Sequence, residues 1–535
     1  FMAAAANPLA AEAGRDILAR GGTALDAAVA MQMVLALVEP QSSGIGGGGF
    51  LLYFDAESRQ VFAYDGRETA PAAARPDMFL RPDGAPKAFY EAAVGGLAVG
   101  VPGVLAMLET AHRSHGRLPW ADLFAPAIRL AEQGFVVSPR LHRLIAADRY
   151  LRQTPEGAAY FYRPDGTARA AGERLTNKPL ANVLRLVAFQ GSSAFYTGKI
   201  AADMVDAITH APVNPGRMTL ADLAGYRAQA REAVCRPYRS YRVCGMPPPS
   251  SGGVAVLQSL GILENFDLPA LPPESLDAVH LIAEASRLAF ADRNRYLADP
   301  DFGTVPVEAL LDRDYLAQRA RTIPPTQDMG AAEPGRLPAS ATPDYAPGPT
   351  HDVPSTSHMS AVDRYGNAVA FTTSIENGFG SRLMVDGFLL NNQLTDFAFV
   401  PEVDGRPVAN APAPLKRPLS SMAPTLVLDH DRQFVLSVGS PGGPRIIGYV
   451  LKTLIANLDW RLDIERAIAL PNFLNRNGAT ELEAGTDLTA FKNELEAMGH
   501  TVEIRELTSG LQGIAATSPG SGAGYEGGAD PRREG

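Results

Sequence analysis

The sequence predicts an α/β protein on three observations. Apolar or amphipathic helical runs at residues 24–38 and 281–293 are mixed with short strand-like segments at 50–53 and 61–64. Two strand–turn–strand patterns follow, at 356–373 around a turn at 363–367 and at 425–438 around 429–432. No segment recurs at a fixed period, which excludes solenoids and propellers.

Each element has its own justification. The run 24–38 is interrupted only by Asp26 and Gln32 and stops before Pro40. It falls short of the ~20 apolar residues needed to span a bilayer, so with Thr23 as its N-cap it is expected to be a buried helix. The segment Gly44-Ile45-Gly46-Gly47-Gly48-Gly49 fits the pattern G-x-G-x-x-G, but a helical run precedes it and a strand-like run follows. A dinucleotide site needs the reverse order, so close backbone packing is the expected role of these glycines. Residues 323–355 turn to Pro, Ala, Gly, Ser and Thr with almost no apolar periodicity, the pattern of a mobile linker. Order returns at once after it. That places Thr356 at the start of a strand, where a nucleophile is held rigidly while the upstream chain is released.

Composition narrows the classes of function. A chain of 535 residues with 46% hydrophobic and 20% charged residues can bury a large core, and roughly 100 to 200 residues per domain gives two or three units. A net charge of −10 offers no basic stripe for phosphates, so no nucleic-acid partner is expected. The opening Phe1-Met2 shows neither a basic n-region nor a cleavage site, so any export signal is expected to be removed or absent. Cys235 and Cys244 are the only cysteines. They exclude a disulfide framework and a thiolate metal cluster, and leave open one short-loop bridge or, more commonly, two free thiols.

Several chemistries lack their motif. There is no G-x-S-x-G elbow, Gly198-Lys199 lacks the Ser or Thr of a phosphate loop, and the nine histidines never take an H-E-x-x-H spacing. His351 and His358, nearest the linker, are read as structural or solvated, and neither metal nor cofactor is expected. What carries chemistry is Ser355-Thr356-Ser357-His358-Met359-Ser360. A threonine hydroxyl is a weak nucleophile, yet once Thr356 is a chain terminus its own α-amino group lies within reach as base. Such a group titrates near ~7.7 to 8.0, close to working pH, so no other base is needed. Taken alone, a Ser/Thr cluster beside a Pro-rich stretch is usually a turn.

Further motifs change that reading. Thr356-Ser-His-Met-Ser, Asp363-Arg-Tyr-Gly-Asn-Ala and Asn391-Asn-Gln-Leu-Thr-Asp396-Phe397 closely resemble the small-subunit start of the γ-glutamyltransferase (glutathione hydrolase) family of N-terminal-nucleophile hydrolases. Asp65-Gly-Arg67-Glu-Thr-Ala-Pro71, Met246-Pro-Pro-Pro-Ser-Ser-Gly-Gly253, Arg417-Pro-Leu-Ser420-Ser421-Met422, Gly439-Ser-Pro-Gly442-Gly443 and Ala529-Asp-Pro-Arg-Arg533 resemble it too, in its order and over nearly the whole chain.

The resemblance implies a four-layer αββα sandwich, cleaved between Ser355 and Thr356 into a large subunit (1–355) and a small catalytic subunit (356–535) that form one intertwined domain. It implies Thr356 as nucleophile, Ser374 (usually Thr in the family) as its hydroxyl partner, and Gly442 and Gly443 as oxyanion donors. Arg67, Ser420 and Ser421 would hold the donor's α-carboxylate, and Gln393 and Asp396 its ammonium. Glu376, where the family commonly has Asn, would add a second carboxylate there. The stretch 398–415 is shorter than the family's usual lid and has no Tyr, so hydrolysis is expected to outrun transfer. The implied activity is cleavage of γ-glutamyl amides such as glutathione through a Thr356 ester, released to water or to an amino acid or peptide, in a periplasmic or secreted enzyme. Glu376 and the short stretch raise a rival of the same fold, an acylase acting on cephalosporin or glutaryl groups. A rival of another class is a non-catalytic amino-acid-binding protein.

Overall fold

The computed structural model describes residues 1–338, 344–348, 355–518 and 523–534. Two six-stranded sheets dominate it. In chain order their strands are β1 (Met2–Ala5), β2 (Gly48–Asp55), β3 (Gln60–Asp65), β4 (Gln229–Glu232), β5 (Val234–Tyr238), β6 (Tyr241–Gly245), β7 (Ser357–Val362), β8 (Ala368–Ser374), β9 (Thr425–Leu428), β10 (Phe434–Gly439), β11 (Gln512–Ser518) and β12 (Ala523–Ala529). The first sheet runs β1-β7-β8-β2-β3-β4 and the second β12-β11-β10-β9-β6-β5. All neighbours are antiparallel.

Strand periodicity builds the layers. Leu51, Tyr53, Met359, Ala361, Val369 and Phe371 point from the first sheet into a core shared with helices α1 (Pro8–Ala19) and α2 (Ala24–Val38). Their neighbours Phe50, Leu52, Phe54, Val362, Ala368 and Ala370 point the other way, toward the second sheet. Helices α3 (Gly252–Leu263), α4 (Leu276–Tyr296) and α5 (Ile446–Leu458) join that second core, with α3 against β5 and β6 and α5 against β10. The result is the αββα sandwich.

The predicted elements form for the stated reasons. Helix α2 occupies the apolar run, and its capping box is complete: Asp26 N–H donates to Thr23 Oγ1 (3.2 Å) and Thr23 N–H to Asp26 Oδ2 (2.9 Å). The turn at 363–367 joins β7 to β8, with Asp363 Oδ1 accepting from Tyr365 N–H at 2.8 Å and Asn367 N–H at 3.0 Å. The glycine run packs as expected: a Cβ on Gly46 would lie 2.2 Å from the Leu389 carbonyl oxygen, and one on Gly47 2.1 Å from that of Ser374.

Three expectations change. The two or three units suggested by length are one body, because strands from before and after Ser355 alternate within the first sheet. The segment read as a mobile linker is packed in its described parts. Ile323, Leu337 and Ala346 are buried, Gly335 N–H donates to Asp292 Oδ1 (2.6 Å), and Ala346 bridges to Val408. Residues 339–343 and 349–354, His351 among them, lie outside the described residues. Finally, Cys235 and Cys244 face each other across the β5–β6 hairpin and are bonded, with sulfurs 2.08 Å apart.

Candidate active site

The residue just before β7 is Thr356, and its φ is +96°. A β-branched residue there is a true outlier, because its side chain crowds the backbone; such strain costs about 1–3 kcal/mol and persists only where the surroundings impose it. The surroundings are identifiable. Upstream, Ser355 Oγ donates to the Gln41 carbonyl at 3.0 Å, and the Ser355 carbonyl accepts from Gly442 N–H at 3.0 Å. Downstream, the Thr356 carbonyl accepts from Arg533 Nη1 at 3.0 Å.

The hydroxyl is aimed as well. Thr356 Oγ1 donates to Ser374 Oγ at 3.1 Å, at the end of β8, and Ser374 Oγ also accepts from Glu376 N–H at 2.8 Å. Gly442 and Gly443 follow β10, with φ +137° and +60°. A side chain at Gly442 would meet the Tyr449 ring at 2.7 Å, so this turn needs glycine to bring its N–H groups close.

Thr356, Ser374, Glu376, Gln393, Asp396, Ser420, Ser421 and Gly443 line one cleft of about 510 Å³, together with Arg293, Leu419, Met422, Pro444 and Ile446. Residues spread over the chain thus meet around Thr356. The gamma-glutamyltranspeptidase family model matches residues 10–535. The chain belongs to that family.

Its relatives agree with this membership and with an enzyme of the γ-glutamyltransferase/glutathione hydrolase class. The glutathione hydrolase proenzyme of Bacillus subtilis (strain 168) is 38% identical over 507 residues, covering 93% of this chain and 84% of that protein. The glutathione hydrolase proenzyme of Escherichia coli (strain K12) is 37% identical over 544 residues, covering 99% and 90%. Among solved structures, the cephalosporin acylase from Bacillus halodurans superposes with TM-score 0.85 at 28% identity, covering 100% of this chain and 94% of that one. The Helicobacter pylori γ-glutamyltranspeptidase superposes with TM-score 0.57 at 37% identity, covering 60% and 90%.

Gly442 adjoins the cleft, with its N–H engaged by the Ser355 carbonyl. One residue of this family member sits differently from the sequence expectation. Arg67 is fully buried one layer behind. Its guanidinium donates to the carbonyls of Pro418 and Leu419 (both 3.0 Å) and to Asp396 Oδ2, which is the group that reaches the cleft. The physical reason lies in the loop 417–422, whose carbonyls point inward and take up the fork.

On the acidic wall, Glu376 Oε2 accepts from Asn392 Nδ2 at 2.5 Å, and Gln393 Nε2 reaches Asp396 Oδ2 at 3.5 Å. Burial and the nearby Asp396 carboxylate hold Glu376 well above the usual carboxyl range. His358, between Thr372 Oγ1 (2.8 Å) and Ser360 Oγ (3.3 Å), is pushed down to about 3 by burial and stays neutral at working pH.

Sequence reasoning missed Arg293. It stands in the last turn of α4, where an arginine reads as a partner of the helix dipole. Its only signal was its place near the end of an amphipathic run, and nothing in that spacing told of the cleft. Among the described residues, no helix is long and apolar enough to cross a membrane.

Proposed function

We propose that this chain cleaves itself between Ser355 and Thr356 and then hydrolyses γ-glutamyl amides, glutathione among them, through an ester on Thr356. The observation that carries the reading is the strained Thr356, its hydroxyl on Ser374 and its upstream carbonyl on Gly442. In the precursor the Thr356 hydroxyl attacks the Ser355 carbonyl carbon, and negative charge builds on an oxygen already hydrogen-bonded to Gly442 N–H. The C–N bond breaks, the amine takes the proton, and water hydrolyses the ester to leave Ser355 as a carboxylate. Because φ of Thr356 is defined by its bond to Ser355, scission also releases the strain.

The freed α-amine then serves as base. It accepts the hydroxyl proton as Oγ1 attacks the γ-carbonyl of the donor, while Gly442 and Gly443 N–H groups receive the oxyanion. The leaving amine departs protonated, and water or an acceptor's amine attacks the ester. Glu376, Gln393 and Asp396 supply the acidic wall for the donor's α-ammonium, which offers Glu376 a counterion beside the Asp396 carboxylate that Arg67 already holds. Ser420 and Ser421 face its α-carboxylate, and Arg67 works from behind by fixing Asp396 and the carbonyls at 418–419. The Cys235–Cys244 bridge supports a periplasmic or secreted setting, where disulfides persist.

Electrophoresis and mass analysis of the purified protein are expected to give a small fragment of residues 356–535 beginning with a free Thr356 amine. Thr356→Ala is expected to stay a single chain. An active wild type that remains uncut would overturn the mechanism. The cephalosporin acylase neighbour favours a second reading, an acylase for glutaryl amides. A γ-glutamyl anilide and a glutaryl anilide share the acyl length and differ in the α-ammonium. The acidic wall predicts at least about a 100-fold preference for the first, since a site built for a charged group leaves its own groups unpaired without it. Equal turnover of both would favour the acylase.

A further inference from the structure

The motif Met246-Pro-Pro-Pro-Ser-Ser-Gly-Gly253 has so far no part in the chemistry. In the fold it grips the loop that carries Ser420 and Ser421. Ser250 Oγ donates to the Met422 carbonyl (2.5 Å), Ser251 Oγ to the Ser420 carbonyl (2.6 Å), and Ser420 N–H to the Pro249 carbonyl (3.0 Å). A Cβ on Gly252 would lie 2.4 Å from the Met422 carbonyl oxygen, so this approach requires glycine.

Arg293 reaches over that clamp to the cleft. Its Nε donates to Ser251 Oγ and its Nη2 to Ser421 Oγ, both at 2.8 Å, and its Nη1 to Asn294 Oδ1 at 2.9 Å. It is buried, and among the described residues no carboxylate forms an ion pair with it. Burial lowers it only to about 10, so it is a cation at working pH.

A serine hydroxyl has one proton and two lone pairs. Where a cation donates to Ser421 Oγ, the hydroxyl proton is turned away from that cation, and the cleft is the other space this side chain lines. The cation also polarises the O–H, which strengthens it as a donor to an anion. We propose that Arg293 is a positioning residue for substrate selection: acting through Ser421, it makes this wall of the cleft a receptor for the free α-carboxylate of the donor. The inference rests on the γ-glutamyl reading above. It pairs Arg293, which has no direct carboxylate contact among the described residues, with a carboxylate that arrives with the substrate, and gives the 246–253 motif the task of holding Ser251 and the Ser420–Ser421 loop in register with it.

The test compares γ-glutamyl p-nitroanilide with its decarboxylated analogue, 4-aminobutyryl p-nitroanilide, on the self-processed enzyme. Arg293→Gln is expected to lower kcat/KM for the γ-glutamyl donor by roughly 30-fold, mostly through KM, and for the decarboxylated donor by less than about threefold. Arg293→Lys, which keeps the charge, is expected to recover part of the discrimination. Arg293→Gln/Ser421→Ala is expected to be little worse than either single variant, because the two act as one unit. Should Arg293→Gln fail to fold, Arg293→Lys decides in its place: its loss of kcat/KM must be smaller but still confined to the carboxylate-bearing donor. A loss of equal size on both donors, or Ser421→Ala with wild-type discrimination, overturns the proposal and leaves the γ-glutamyl reading standing. A wild type that turns over neither anilide overturns both.

Discussion

Gly442 shows how much chemistry depends on one missing side chain. Its N–H holds the Ser355 carbonyl in the uncut chain, and the same donor would receive the oxyanion of each later turnover. Gly442→Ala would push a Cβ to 2.7 Å from the Tyr449 ring at a φ of +137° that alanine resists, so the turn must shift. The expected result is slower self-cleavage and, in the cleaved fraction, a kcat lowered by roughly 100- to 1,000-fold, the usual loss for one oxyanion donor. Timed electrophoresis and anilide turnover measure the two. Processing at the wild-type rate would mean the hydrogen bond to Ser355 is incidental. This glycine was legible from the sequence because its family motif is local and contiguous. Arg293 was not, because its meaning comes from Ser251 and Ser421, which lie 42 and 128 residues away along the chain.

At the scale of elements, periodicity and caps were sufficient where the signal is local. Helix α2, its Thr23 cap and the β7–β8 turn follow from residues within a few positions of one another. The described parts of the stretch 323–355 did not behave as a linker, for a complementary reason. The composition lacks a repeating apolar face, yet Ile323, Leu337 and Ala346 are single anchors that bury those parts, and isolated anchors leave no period to read. The cysteine pair was undecidable for a similar reason: the bridge needs Cys235 and Cys244 to fall opposite each other in the β5–β6 register, and register is set by the hairpin, not by the spacing alone.

For the whole molecule, sheet order fixes what cleavage can do. In the first sheet, β7 and β8, which follow Ser355, lie between β1 and β2, which precede it, and in the second sheet β9 pairs with β6. Cutting one peptide bond leaves all these ladders and both shared cores in place. The two fragments are therefore expected to co-elute as one species of about 57 kDa or its multiples on size exclusion, to unfold in one cooperative transition, and to separate only in denaturant. Separate elution of folded fragments under native conditions would contradict the interleaved sheets. The sequence by itself determined the α/β class, the family, and Thr356 beside a strand start with most of the residues that line its cleft, since those rest on short patterns and contiguous motifs. Only the tertiary structure decided that Arg67 stands behind Asp396, that Arg293 faces the cleft, and that the fragments share their sheets. Those are matters of which distant side chains and strands meet, and burial decides them after local propensity has been spent.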